Sequence, residues 1–215
     1  MYSCAIFDLD GTLLNTLGDL AAAVNAALRE KGYPERTIEE VRRFVGNGVK
    51  NLIIRALPEG ADAAEIDATL GAFKAYYNDH LSVYTQPYPG IPELLTRLRA
   101  AGVRIGVNSN KYDAALQYLC CEHLDGLYDI AVGEIEGAPK KPSPFAAQRI
   151  MQALGCKPEE TVYIGDSGVD VQTARNAGIA AVAVAWGFRS REELRAEAPD
   201  ALADTAEALA EILLS

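Results

Sequence analysis

Short apolar runs separated by helical patterns leave this chain few architectures to adopt. Tyr2–Phe7, Val103–Asn108 and Thr161–Ile164 are each too short for a buried helix and stop at acidic, polar or glycine residues. Such a run reads as a buried strand whose C-terminal end opens into a loop. Ala180–Ala185 is a further candidate, and Ile130–Val132 a weaker one. Between the runs, Pro92–Ala101 sets Leu94, Leu95 and Leu98 on one face ahead of Gly102. Pro144–Leu154 and Val169–Ala177 end likewise at Gly155 and Gly178, glycines suited to a helix C-terminus. Strand alternating with helix predicts an α/β fold, with a mostly parallel sheet flanked by helices.

One segment interrupts the alternation. Leu17–Lys31, Ile38–Phe44, Val49–Leu57 and Ala63–Tyr77 have helical patterns, with no convincing strand between Thr16 and His80. A helical block of roughly 65 residues, a plausible small domain, is therefore inserted after the first strand. The expected division is a core of residues 1–15 and 82–215 around a helical domain of residues 16–81.

Charge narrows the partners. Twenty basic against thirty acidic side chains give a net charge of −10, which repels nucleic-acid backbones. A small anionic substrate stays possible, because local charges govern a site more than the total does. Cys4, Cys120, Cys121 and Cys156 form no CxxC pair, so reduced thiols are expected rather than disulfides or zinc. The chain opens without a basic region, and no stretch approaches the roughly 20 apolar residues of a membrane span. A cytoplasmic protein with no membrane partner, monomer or homodimer, is expected.

Chemistry concentrates at the strand ends. Asp8-Leu9-Asp10-Gly11-Thr12-Leu13-Leu14 follows the first strand. Two carboxylates one residue apart repel unless a cation or proton lies between them. One could attack while the other shuttles protons; an acidic strand-to-turn corner is the plainer alternative. Asp166 and Asp170 lie in Gly165-Asp166-Ser167-Gly168-Val169-Asp170 after another strand. They suit Mg²⁺ as hard oxygen ligands, or they simply begin a helix. Val107-Asn108-Ser109-Asn110-Lys111 offers a hydroxyl and backbone amides to a phosphoryl oxygen, or caps the next helix. Lys141, in Lys140-Lys141-Pro142-Ser143-Pro144, is either aimed into a site by a rigid turn or half of a solvated pair. Other templates fail: Gly165–Val169 is not GxSxG, and Gly46-Asn47-Gly48 lacks a third glycine. His80 and His123 sit in no motif and read as structural or surface residues.

In order, spacing and strand-end position these four motifs resemble the haloacid dehalogenase superfamily of phosphohydrolases, along essentially the whole chain. The resemblance implies a Rossmann-like core with an inserted α-helical cap. It implies that Asp8 attacks phosphorus, and that Asp10 protonates the leaving alcohol and then deprotonates the attacking water. Mg²⁺ would be held by Asp8, the Asp10 carbonyl and Asp166, with Asp170 supporting that shell. Ser109, Asn110 and Lys141 would grip the phosphoryl oxygens. Phe44–Gly48, Arg55-Ala56-Leu57, Pro87–Gly90 and Trp186–Arg189 are most similar to the phosphoglycolate phosphatase branch. One departure is Asn15, where relatives often carry Asp at the cap hinge. The substrate implied is a small phosphorylated metabolite. Its remaining part is expected to be read by the cap loop at Gly46, Asn47, Gly48 and Lys50. A sugar-phosphate mutase, a pyrophosphatase and, outside enzymes, a receiver-like phospho-signalling module are the alternatives.

Overall fold

In the computed structural model, which describes residues 2–215, the first apolar run forms β1 (Cys4–Phe7), all four residues buried. A short β2 (Leu14–Asn15) leads into α1 (Leu17–Glu30), α2 (Ile38–Phe44), α3 (Val49–Ala56) and α4 (Ala63–Asp79). The chain returns through β3 (Gln86–Pro87), α5 (Ile91–Ala100), β4 (Arg104–Tyr112), α6 (Asp113–Leu124) and β5 (Ile130–Glu134). It ends with α7 (Phe145–Leu154), β6 (Thr161–Gly165), α8 (Gly168–Ala177), β7 (Ala180–Val184), α9 (Arg191–Ala196), β8 (Ala201–Ala203) and α10 (Ala206–Leu214). Two compact units result, residues 1–14 with 87–215 and residues 15–86.

The larger unit is built on a six-stranded sheet of order β5-β4-β1-β6-β7-β8, in which every neighbouring pair is parallel. Side-chain alternation along β1 sorts its core. Ala5 and Phe7 pack with Leu94, Leu98, Leu116, Leu119, Leu209 and Leu213 from α5, α6 and α10. Cys4 and Ile6 face the other way, onto Ala147, Ile150, Val171 and Ala174 from α7 and α8. A strand covered on both faces must be apolar throughout, which explains the unbroken run. Phe7 lies opposite Val107 of β4 and Ile164 of β6. Asp8, where β1 ends, is therefore level with Asn108 of β4 and Gly165 of β6, at the edge where α/β proteins bind ligands.

In the smaller unit α1 packs on α4, with Leu20, Val24, Leu28, Ile53, Phe73 and Tyr77 buried. The unit extends past residue 81 to Gln86 because of a buried acid. Asp19 on α1 accepts from the backbone N–H groups of Val83, Tyr84 and Thr85 and from the Thr85 hydroxyl, at 2.7–3.2 Å. Those bonds keep residues 82–86 with the helices. Asp19→Ala would leave several donors unpaired, each costing about 1–3 kcal/mol if it stays buried. We expect a fall of several degrees in Tm and faster amide exchange at 83–85; an unchanged melting curve would contradict this.

β4 runs four residues beyond the expected Asn108, and the polar Asn108–Tyr112 segment is held in the sheet by pairing with β5. The helices α6, α9 and α10 and the strand β8 have no counterpart in the sequence reading. No helix among the described residues is long and apolar enough to cross a membrane.

Candidate active site

The loop after β1 is a tight turn gathered on one carbonyl. Leu9 C=O accepts from the N–H groups of Thr12, Leu13 and Leu14, while the side chains of Leu9, Leu13 and Leu14 are fully buried. Three apolar anchors thus fix the turn that follows Asp8 and carries Asp10. The carboxylate of Asp8 is buried; its Oδ1 accepts from Leu9 N–H at 2.7 Å and lies 2.9 Å from Lys141 Nζ. Asp10 faces a different lysine. Lys111 Nζ stands 3.0 Å from its Oδ1 and 3.3 Å from its Oδ2.

At the end of β6, Asp166 and Asp170 are 2% and 1% exposed. Asp166 Oδ2 accepts from Phe188 N–H at 2.6 Å. Asp170 Oδ2 accepts from Ser167 N–H and Oγ–H at 3.2 and 2.6 Å, and its Oδ1 lies 2.7 Å from Lys141 Nζ. Lys141 therefore bridges Asp8 and Asp170. Its backbone is fastened by Asn110: Lys141 N–H donates to Asn110 Oδ1 (2.9 Å) and Asn110 Nδ2 donates to Lys141 C=O (3.3 Å). Asn110 thus aims the lysine with its side chain, beyond the amide contact expected of it. Lys140 turns outward and pairs with Glu134 at 2.6 Å. Ser109 is buried, and its Oγ accepts from Lys111 N–H at 3.2 Å.

Asp8, Asp166 and Asp170 offer carboxylate oxygens that lie within 4.8 Å of one another. All three are buried, and the electrostatics record the crowding. Burial, with the charges of Asp170, Asp166 and Asp10 added, pushes the Asp8 carboxyl well above the carboxylate range, against the opposing pull of Lys141. Burial and Asp170 push Asp166 up to about 7, although the Phe188 amide, Arg189 and Lys141 favour its anion. Lys141 is destabilised as a cation by burial, but Asp170 and Asp8 outweigh that and drive its pKa up. One ammonium does not satisfy three buried acids. An all-oxygen, hard donor set with uncompensated charge is what a divalent cation such as Mg²⁺ fits.

Glycine keeps space for this cluster. A Cβ at Gly11, whose φ is +88°, or at Gly187 would run into the Asp166 side chain, and one at Gly165 into Asp170. Trp186 Nε1–H donates to Thr12 C=O at 3.0 Å, tying the 186–189 segment to the loop after β1. Gly187→Ala should displace Asp166 and lower the affinity for a divalent cation at least tenfold, measured by titrating activity against metal concentration. Unchanged metal dependence would show that the loop tolerates the methyl group.

Sequence reasoning brought Asp8, Asp10, Ser109, Asn110, Lys141, Asp166 and Asp170 to this sheet edge. It missed what Lys111, Gly187 and the Phe188 amide do there. The loop residues Gly46, Asn47, Gly48 and Lys50 belong to the smaller unit and have local partners. Asn47 has a φ of +62° and its carbonyl accepts from Asn51 Nδ2 at 2.8 Å. Arg55 donates to Phe44 C=O at 2.7 Å and Gly46 C=O at 3.3 Å. Lys50 pairs with Asp67 at 3.0 Å.

The profile of the haloacid dehalogenase-like hydrolases matches residues 5–184. The chain belongs to this family. It is an enzyme, a phosphatase of the phosphoric monoester hydrolase class. Among its relatives, a phosphoglycolate phosphatase of Pseudomonas putida KT2440 is 36% identical over 211 residues, covering 95% of this chain and 77% of that one. A phosphoglycolate phosphatase of Aquifex aeolicus is 32% identical, covering 91% and 89%. A candidate phosphoglycolate phosphatase from Lactobacillus delbrueckii subsp. bulgaricus, of known crystal structure, superposes with a TM-score of 0.94 at 37% identity, covering 99% and 98%.

Proposed function

We propose that this phosphatase hydrolyses a small phosphate monoester, phosphoglycolate, with Mg²⁺ and through an aspartyl-phosphate on Asp8. The observation that carries the chemistry is the buried Asp8–Asp166–Asp170 cluster bridged by Lys141. The substrate is supported by the similarity to phosphoglycolate phosphatases along nearly the full chain.

Asp8 is the attacking acid. It lies at the end of the central strand, fixed by Leu9 N–H and Lys141, and a carboxylate is a competent nucleophile toward phosphorus once positioned in line. Its oxygen bonds to phosphorus as the bond to the leaving alkoxide breaks. Asp10 gives that alkoxide a proton, then takes one from the water that attacks the aspartyl-phosphate, so the acid ends each cycle as it began. Lys141 and the Ser109 hydroxyl hold phosphoryl oxygens, and the ammonium offsets charge that grows on them. Asn110 keeps Lys141 in place. Mg²⁺, when bound by Asp8, the Asp10 carbonyl and Asp166, supplies the positive charge that makes the Asp8 anion affordable in a buried site and neutralises the phosphoryl group. Asp170 does not need to touch the cation; it fixes Lys141 from the far side.

Phosphate release from 2-phosphoglycolate, sugar phosphates, pyrophosphate and p-nitrophenyl phosphate, with Mg²⁺ or EDTA, tests this. The highest kcat/KM is expected for 2-phosphoglycolate. Preference for pyrophosphate, or phosphoryl transfer between sugar positions without release, would assign a different member activity.

A further inference from the structure

Lys111 is the buried cation that this chemistry leaves without a task. Only 6% of the residue is exposed, yet its ammonium is not buried among structural partners alone: it stands at the acid that serves the leaving group, 3.0 and 3.3 Å from the two Asp10 oxygens. Its position follows from β4. The Lys111 backbone N–H donates to Ser109 Oγ, so the lysine begins beside the phosphoryl-binding hydroxyl and its side chain reaches from there to Asp10.

We infer that Lys111 is a specificity-determining residue that binds the carboxylate of the substrate. The inference rests on the phosphoglycolate reading above and deepens it. An acid that protonates the bridging oxygen must lie against that oxygen, so the position of Asp10 marks where the leaving group sits. In phosphoglycolate the carboxylate carbon is two bonds from the bridging oxygen. The substituent that distinguishes this substrate from other alkyl phosphates therefore lies beside Asp10, within the reach of Lys111 Nζ. An ammonium has three donors. Lys111 holds an ammonium against Asp10, and a substrate carboxylate arriving there meets that positive charge. The site without Lys111 would set a substrate carboxylate against Asp8, Asp10 and Asp166, and like charges at this range are strongly unfavourable in a buried setting. Recognition of the anionic tail is thereby placed in the sheet-bearing unit. The competing role is that of a positioning residue, with Lys111 only orienting Asp10.

Two substrates separate the roles. 2-Phosphoglycolate and 2-hydroxyethyl phosphate are close in size and both have alkoxide leaving groups that need Asp10, but only the first has the carboxylate. The readout is the ratio of their kcat/KM values in the wild type, Lys111→Met and Lys111→Gln, with the fold of each variant checked by circular dichroism. Glutamine keeps a donor for Asp10 and removes the charge. The wild type is expected to prefer 2-phosphoglycolate, and both variants to lose that preference by about ten- to a hundredfold, equal to about 1.4–2.8 kcal/mol at 1.4 kcal/mol per decade. The loss should appear chiefly in KM. Equal falls for both substrates, leaving the ratio intact, would overturn the assignment and make Lys111 a positioning residue. A wild type with no preference for 2-phosphoglycolate would overturn the substrate reading, and the assignment with it.

Discussion

Asp8→Asn is expected to abolish turnover while the protein stays folded. The amide is nearly isosteric, can keep the bond from Leu9 N–H on its oxygen, and is neutral in a cluster where burial, Asp170 and Asp166 disfavour an anion. Stability should therefore hold or rise in the metal-free protein. Activity cannot hold, because the amide is not a nucleophile toward phosphorus. Removing a covalent nucleophile commonly costs several orders of magnitude in kcat, and a loss of about 10⁴-fold or more is expected here. A variant that retains near-normal kcat, with deamidation excluded by mass spectrometry, would remove Asp8 from the role given to it.

The second large effect concerns the cation and pH together. Activity should vanish in EDTA and return with Mg²⁺. Ca²⁺ should inhibit, since its larger and looser coordination suits in-line transfer poorly. Stability should follow the same charge logic. Burial and the charge of Asp170 raise Asp166 from its ordinary 3.8 to about 7 in the folded chain. Between those values the folded state holds a proton that the unfolded state has released, so the metal-free protein loses stability as pH rises through this window. Three units at 1.36 kcal/mol each set an upper bound on the order of 4 kcal/mol. Below about pH 4 both states are protonated and the difference is gone. Mg²⁺ offsets the repulsion only where the acids are ionised. The rise in Tm on adding Mg²⁺ should thus be small near pH 5 and several degrees larger near pH 7.5. An equal Mg²⁺ shift at both pH values would contradict the coupling of cation and cluster.

What was legible in the sequence follows from where the information is local. An apolar run ended by Asp8-Leu9-Asp10 states both a strand and a reactive edge, because burial on two faces forbids polar residues until the sheet stops. Gly155 and Gly178 end α7 and α8 in the left-handed conformation, as their places after helical patterns predict. The helical insertion was visible as a break in alternation. Its far boundary was not, since residues 82–86 are held by Asp19, more than sixty positions earlier, through backbone groups that leave no mark on the sequence. The same holds for the Phe188 amide on Asp166: any residue can present an N–H. Trp186-Gly187-Phe188-Arg189 stood out by resemblance, but only the structure gives the physical reason, a methyl-free approach to Asp166 and an indole tied to Thr12.

Lys111 illustrates the opposite difficulty. Its segment, Asn108–Lys111, is polar enough to pass for a loop, yet pairing with β5 carries β4 through it and buries the lysine. Helix α6 was hidden because Ala114, Tyr118 and Cys121 on its exposed side blur the face made by Ala115, Leu116, Leu119, Cys120 and Leu124. The strand β8 has only three residues, Ala201–Ala203, of weak strand preference, and takes its place at the sheet edge by pairing with β7.

The claim on which the chemistry depends is that phosphate passes through Asp8. The enzyme should be mixed with saturating 2-phosphoglycolate and Mg²⁺, quenched in acid during steady turnover, and digested for mass spectrometry at low pH, where an acyl phosphate survives. A phosphoryl group on the peptide that holds Asp8, absent from Asp8→Asn and absent with EDTA, is the result expected. Phosphate release at full rate with no phosphoryl group on that peptide, or with the phosphoryl group on another residue, would contradict it.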